Sequence, residues 1–212
     1  MTNIKIQQGN LTDFDRIYQR FIKDFAPDEL KSYAHLQLLL KKKKYKLLLA
    51  KDIELNEIVG YAFIYEIDRL GSIWLDYIAI FQEYRNSGYG SRFFKEISQS
   101  RRKNNLGIFL EVEIPEEREG NIREKQIKRI KFYERLGAIP FPFPYEFPTS
   151  VGGFPMFLYF RPGIGIECLP EKLIKKAIEE AYENIHFDIN NKERILNRIF
   201  PSITDFYIEQ GN

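Results

Sequence analysis

The stretch LDYIAIFQEYRNSGYGSRFF, residues 75–94, carries the signals that decide the fold. It completes the run SIWLDYIAI, which is apolar except at Ser72 and Asp76. A run without alternation is expected of a central strand buried on both faces. Polar residues then turn the chain sharply, and Gly88 and Gly90 open a helix whose apolar stripe is Tyr89, Phe93 and Ile97. The first turn of such a helix has backbone N–H groups without intrahelical partners and the positive end of the helix dipole. Glycines there remove side chains that would block an anion, and Arg85 adds a forked, permanent positive charge. A site of this kind suits a pyrophosphate. A dinucleotide fold would use three glycines and a P-loop would need Gly-Lys-Ser or Gly-Lys-Thr; neither occurs here. On spacing alone, a glycine pair that merely permits tight packing fits equally well.

Upstream, Ile4 and Ile6 alternate with Lys5 and Gln7 as in a short strand. Thr12 or Asp13 is placed to cap a helix carrying Phe14, Ile17, Phe21 and Phe25, which Pro27 ends. Asp28 is expected to open a second helix with Leu30, Tyr33, Leu36 and Leu40. The basic run 41–44 reads as the solvated end of that helix, where cations suit the dipole, or as a contact for a phosphate or acidic partner. Residues 45–50 and 58–67 read as an antiparallel hairpin, and Gly71 marks a turn.

Downstream, Gly107 precedes an apolar strand at 108–112. A helix follows with Ile127, Ile130, Tyr133 and Leu136 on one face, and Gly137 stands where a left-handed C-terminal cap belongs. Residues 140–155 hold five prolines, several aromatics and Gly152-Gly153, and should form a bent strand and a structured loop. Residues 157–160 make a final strand. From Pro170 the pattern is helical, with Ile174, Ile178, Ala181 and Ile185 on one stripe and Asn191 placed to cap a last helix. The order β-α-α-β-β-β-α-β-α-β-β, followed by helices, implies an α/β fold with a mixed sheet covered by helices on both faces.

Composition narrows the function classes. A chain of 212 residues can bury roughly 70% of its unfolded surface in one substantial core. A net charge of +2 gives no general reason to expect nucleic acid. The one cysteine, Cys168, leaves no internal disulfide or cysteine-rich zinc site, and His35 and His186 are too far apart in sequence to suggest a metal cluster, so no metal is expected. The first residues lack the apolar core of a signal peptide, and no segment approaches ~20 apolar residues. A cytoplasmic protein without a membrane partner is the natural expectation.

The segment EYRNSGYGSRFF resembles the acetyl-coenzyme A motif of the GCN5-related N-acetyltransferase (GNAT) family, Arg or Gln, two residues, Gly, one residue, Gly or Ala, with Arg85, Gly88 and Gly90 in those places. The strand LDYIAI is similar to the family's fourth strand, and IKFYERLGA to its later tyrosine phrase. The resemblance covers about residues 4–160. It implies the acyl-CoA N-acyltransferase fold, with a mostly antiparallel central sheet, in a transferase domain at 1–162, and a helical extension at 163–212 outside the common core. It implies acetyl-CoA as cosubstrate: the pantetheine arm along Ile78, Ala79 and Ile80, and the pyrophosphate on the turn formed by Arg85, Asn86, Ser87, Gly88, Tyr89 and Gly90. Tyr133 takes the place of the tyrosine that protonates the leaving thiolate. Gln126 stands seven residues before it, where the family often has an asparagine that contacts the coenzyme.

The resemblance further implies direct transfer to a primary amine, on a small molecule or a peptide, by a protein that can also be a homodimer. A base is needed. Asp76 interrupts an apolar strand, where a charge is costly unless functional or paired. Glu111 and Glu113 lie on or just after the next strand and share a face. An aromatic acceptor wall from Phe141, Phe143, Tyr145, Phe147 and Phe154 is one reading of residues 140–155; packing on the C-terminal helices is the other. A non-catalytic coenzyme A-binding module on the same fold, and a protein-interaction domain using the basic run and the helical tail, are the competing classes.

Overall fold

A computed structural model describes residues 2–25, 27, 29–100, 105–116 and 119–208. It is a mixed α/β fold whose central sheet is mostly antiparallel and flanked by helices. The chain divides into two compact units, Met1–Glu66 with Leu75–Ser100, and Ile67–Trp74 with Arg101–Asn212.

The first unit holds β1 (Ile4–Gln8), α1 (Leu11–Asp24), α2 (Tyr33–Leu40), β2 (Tyr45–Asp52), β3 (Ile58–Ile67, all but its last residue), the end of β4 (Ser72–Ile80) and α3 (Tyr89–Gln99). The strands lie in the order β1-β2-β3-β4, and β1–β2 and β2–β3 are antiparallel. Strands β2 and β3 are buried nearly throughout, with Leu47, Ala50, Val59, Tyr61 and Phe63 fully inside. Helix α1 turns Phe14, Ile17 and Phe21 inward. The Phe21 ring meets Phe63 at 5.6 Å and Tyr77 at 4.9 Å, edge to face.

Helix α1 is capped by Asn10. Its side chain accepts from the Asp13 N–H at 3.0 Å while the Asp13 carboxylate accepts from the Asn10 N–H at 3.0 Å. Asp13 is thus the third-residue partner of a reciprocal capping box, and neither Thr12 nor Asp13 is the cap itself. Helix α2 starts at Tyr33, with Ser32 accepting from the His35 N–H at 3.2 Å. Asp28, expected to open it, lies outside the described residues. Lys41 ends α2, so the basic run is the helix end and the turn into β2.

Gly60 lets the end of β4 approach β3 closely. A Cβ there would stand 2.6 Å from both the Ala79 carbonyl oxygen and the Ile80 Cδ1. Gly60→Ala should therefore cost about 1–3 kcal/mol, the usual scale of an overpacked site. Urea melts of the two proteins would check this; an unchanged midpoint would show that β4 gives way freely.

The second unit holds the start of β4, β5 (Gly107–Glu113), α4 (Asn121–Arg135), β6 (Ile139–Pro140), β7 (Tyr145–Thr149), β8 (Gly152–Pro162), β9 (Cys168–Leu169), α5 (Glu171–Asn184), α6 (Lys192–Ile199) and β10 (Phe206–Tyr207). Strand β8 pairs antiparallel with β5, β6 and β7. Residues 140–155 thus include a regular hairpin, β7 to β8, with its turn at Ser150-Val151. Asn191 does precede α6, but its side chain makes no capping bond.

Candidate active site

In the first unit the sequence 80–92 builds a tight strand–turn–helix. Strand β4 ends at Ile80, a single 3-10 turn covers Gln82–Tyr84, and α3 begins at Tyr89. Two residues of the loop adopt the left-handed conformation, Asn86 at φ 64° and Gly88 at φ 86°. Asparagine tolerates this region better than most residues, and glycine has no penalty there. Gly88 is the N-cap of α3, and the first helical bond runs from the Arg92 N–H to the Gly88 carbonyl at 3.1 Å. The amides of Tyr89, Gly90 and Ser91 precede that bond and have no intrahelical acceptor. Beyond its chain neighbours, a Cβ added on Gly88 would meet only the Thr2 hydroxyl, at 3.7 Å, an ordinary contact.

The side chains around this turn fasten it. The Tyr89 hydroxyl donates to Asp52 at 2.7 Å, and Asp52 also accepts from the Glu54 and Leu55 amides at 2.9 and 2.7 Å. These bonds, the Leu55 amide first, hold the Asp52 carboxyl below the usual range, and the same bond to Asp52 pushes the Tyr89 phenol up to about 12. Asp52 therefore contributes stability that is present above the ordinary carboxyl pKa and is lost as pH falls through its lowered folded value. The Tyr84 hydroxyl bonds Glu57. The Arg85 Nε–H donates to the Ile80 carbonyl at 2.8 Å and its guanidinium pairs with Asp24 at 2.5 Å, while its backbone N–H closes the 3-10 turn on the Gln82 carbonyl at 3.3 Å.

Asp76 turns out to be paired. Its carboxylate takes an ion pair from Lys31 at 2.8 Å and the Tyr45 hydroxyl at 2.5 Å, and its side chain is only 2% exposed against 8% for Lys31. Burial, then the Asp76 charge, raises the Tyr45 phenol well above its ordinary value. Next to it, the Tyr77 hydroxyl donates to the Glu29 carbonyl at 2.5 Å and accepts from the Lys31 amide at 3.2 Å. The carboxylate thus ties the segment after α1 to β4.

In the second unit Glu111 accepts from the Tyr145 hydroxyl at 2.5 Å and from the Trp74 indole at 3.3 Å. Burial first, then this carboxylate, raises the Tyr145 phenol far above its usual value. Glu113 is held by Arg129 in an ion pair. Tyr133 is buried on α4, and its carbonyl accepts from the Leu136 and Ala138 amides, both at 3.0 Å. Gln126 accepts from the Glu116 amide at 2.9 Å and so fastens the segment after β5. Of the supposed aromatic wall, Phe141, Phe143 and Tyr145 are buried. Phe141 packs on Phe109, Phe160 and Phe206, Phe147 meets His186 edge to face, and Phe154 alone is largely exposed. These rings are core and helix contacts, which is the plainer of the two readings of residues 140–155.

Residues 43–137 match the family model described as "Acetyltransferase (GNAT) domain". The chain is 27% identical over 176 residues to the Bacillus subtilis (strain 168) protein named "Putative acetyltransferase YjbC", covering 80% of each. Among solved structures, a "Putative acetyltransferase from GNAT family" of Bacteroides thetaiotaomicron superposes with TM-score 0.69 at 20% identity, over 88% of this chain and 100% of that one. Arabidopsis thaliana NAA60 in complex with acetyl-CoA does so with TM-score 0.52 at 13% identity, over 74% and 97%. Over residues 43–137 the chain is thus similar to the GNAT acetyltransferases, and its fold is theirs.

The domain match and the acetyltransferase relatives support an acyltransferase, and the matched family generally uses acetyl-CoA. The residues that sequence reasoning missed are those that fasten the motif: Asp24, Lys31, Tyr45, Asp52 and Tyr61. Each lies 30 or more residues from its partner among Arg85, Asp76, Tyr89 and Asp24, and no local spacing rule reaches that far. Among the described residues no group of three or more His, Cys, Asp or Glu could hold a metal, and no helix is long and apolar enough to cross a membrane.

Proposed function

We propose that this protein moves an acetyl group from acetyl-CoA to a primary amine, on a small molecule or a peptide, by direct attack in the cytoplasm. The observation that carries this is the αL Gly88 at the N-cap of α3, with the first-turn amides beyond it. Such a terminus binds phosphate oxygens through backbone N–H groups and the helix dipole. Residues 1–162 form the transferase domain in this reading, and residues 163–212 are its helical extension.

The amine nitrogen attacks the thioester carbonyl carbon. A backbone N–H near Ile80 holds the developing oxyanion. As the tetrahedral intermediate collapses, the C–S bond breaks, and the thiolate takes a proton from the Tyr133 hydroxyl. The proton lost by the amine goes to Glu111, directly or through water. We assign the base to Glu111 over Asp76 because of their partners. The Asp76 side chain is nearly fully buried and already committed to the Lys31 ammonium and the Tyr45 hydroxyl. Glu111 stands at a partly exposed position of β5 and accepts from the Tyr145 hydroxyl and the Trp74 indole.

A pH–rate profile on one accepted amine tests this assignment. Glu111→Gln should lose roughly tenfold or more at low pH, where the amine most needs a base. Asp76→Asn should keep the wild-type shape while melting at a lower temperature, because it leaves the Lys31 ammonium buried without its partner. A wild-type profile for Glu111→Gln would hand the proton to solvent. The function as a whole is tested by a panel of amines followed through release of free thiol. Donor binding with no turnover on any amine would make the protein a non-catalytic coenzyme A module.

A further inference from the structure

Arg85 sits in the motif position that invites an electrostatic role, yet its guanidinium is already engaged on two sides. Asp24, the last residue of α1, accepts from Arg85 through one oxygen and from the Tyr61 hydroxyl of β3 at 2.9 Å through the other. The Asp24 side chain is 12% exposed and that of Arg85 47%, so the acid is the fixed partner and the arginine the one that reaches it. Tyr61 is fully buried, and burial together with the Asp24 charge keeps its proton in place.

The Ile80 carbonyl that Arg85 clasps points away from β3. The next residue, Phe81, gives its N–H to the Val59 carbonyl at 2.9 Å, and across a trans peptide the C=O of one residue and the N–H of the next point to opposite sides. The end of β4 is thus fixed three ways: by the bond to Val59, by the close approach at Gly60, and by the Arg85 clasp. The third alone runs through the turn that carries Asn86, Ser87 and Gly88, and it depends on a residue of α1.

We propose that Asp24 is a positioning residue for the donor site: by holding Arg85 over the Ile80 carbonyl, it sets where the amides of the 86–90 turn stand. This rests on the reading of that turn as the acetyl-CoA cradle. It makes a prediction opposite in sign to simple electrostatics. If Arg85 met the pyrophosphate directly, removing the Asp24 charge would leave the site more positive and tighten the donor. If Asp24 positions the turn, removing it weakens the donor.

The test is calorimetric titration of acetyl-CoA into wild type, Asp24→Asn, Arg85→Gln and the double variant, with kcat and the amine KM measured at saturating donor. Asp24→Asn should raise the donor Kd about tenfold while kcat and amine KM stay near wild type. The double variant should be no worse than the weaker single variant, because both changes break one clasp. Wild-type or tighter binding by Asp24→Asn overturns the proposal, as do losses that multiply in the double variant. A wild type that does not bind at all defeats the donor reading itself, and is told apart from the former by the first titration. Should Asp24→Asn not fold, Arg85→Lys decides. It keeps the charge but cannot span Ile80 and Asp24 together, so it should bind as poorly as Arg85→Gln; binding near wild type overturns the proposal.

Discussion

Gly88→Val should bind acetyl-CoA too weakly to detect by calorimetric titration while remaining folded. Two effects act together. Gly88 stands at φ 86°, where a side chain costs roughly 1–2 kcal/mol and a β-branched one more, so the turn would relax toward negative φ and carry its amides away. Where the turn does not relax, the new methyl groups stand beside the helix terminus that a phosphate would meet. The global fold should survive, because beyond the chain neighbours the new Cβ meets only the Thr2 hydroxyl, at 3.7 Å. Undiminished affinity in a folded Gly88→Val protein would remove the cradle from the account.

Tyr133→Phe should lower turnover about 10²-fold or more, with donor affinity little altered. The substitution keeps the buried ring and its packing on Phe132, 5.2 Å away between ring centres, and deletes only the hydroxyl. A loss confined to kcat fits a proton delivered to the leaving thiolate in the transition state. Stopped-flow or steady-state thiol release on one working amine gives the number. An unaltered rate would make Tyr133 a core residue of α4 and leave the thiolate to solvent.

Much of the fold was legible because local signals agreed. The largely apolar run ending at Ile80, the glycines after it and the Ile127–Leu136 stripe each specified one element, and Gly137 does adopt the left-handed cap, at φ 83°. Local rules failed where two candidates stood close together: Asn10 and Asp13 share one capping box, and only geometry tells the cap from its partner. The two-residue strands β6, β9 and β10 escaped because pairing with a distant segment, and not their own pattern, makes them strands.

The site was legible in its motif and hidden in its fastenings. Gly88 and Gly90 announce themselves because backbone conformation restricts residue type. Asp76 was conspicuous as a charge in an apolar run, but its meaning lay with Lys31 and Tyr45, far away in sequence. Glu111 was visible as a strand acid; that Trp74 and Tyr145 hold it was not, since hydrogen bonds between distant strands leave no periodic trace. The aromatics of 140–155 looked equally suited to a wall or a core, and burial gave most of them to the core.

The measurement closest to the central claim is calorimetric titration of acetyl-CoA into the unmodified protein, paired with the same titration of dephosphorylated pantetheine. The account predicts saturable one-to-one binding of acetyl-CoA and a much weaker response to pantetheine, because the helix terminus at Gly88 contributes through the pyrophosphate. A flat acetyl-CoA titration, or equal affinity for the two compounds, would contradict it.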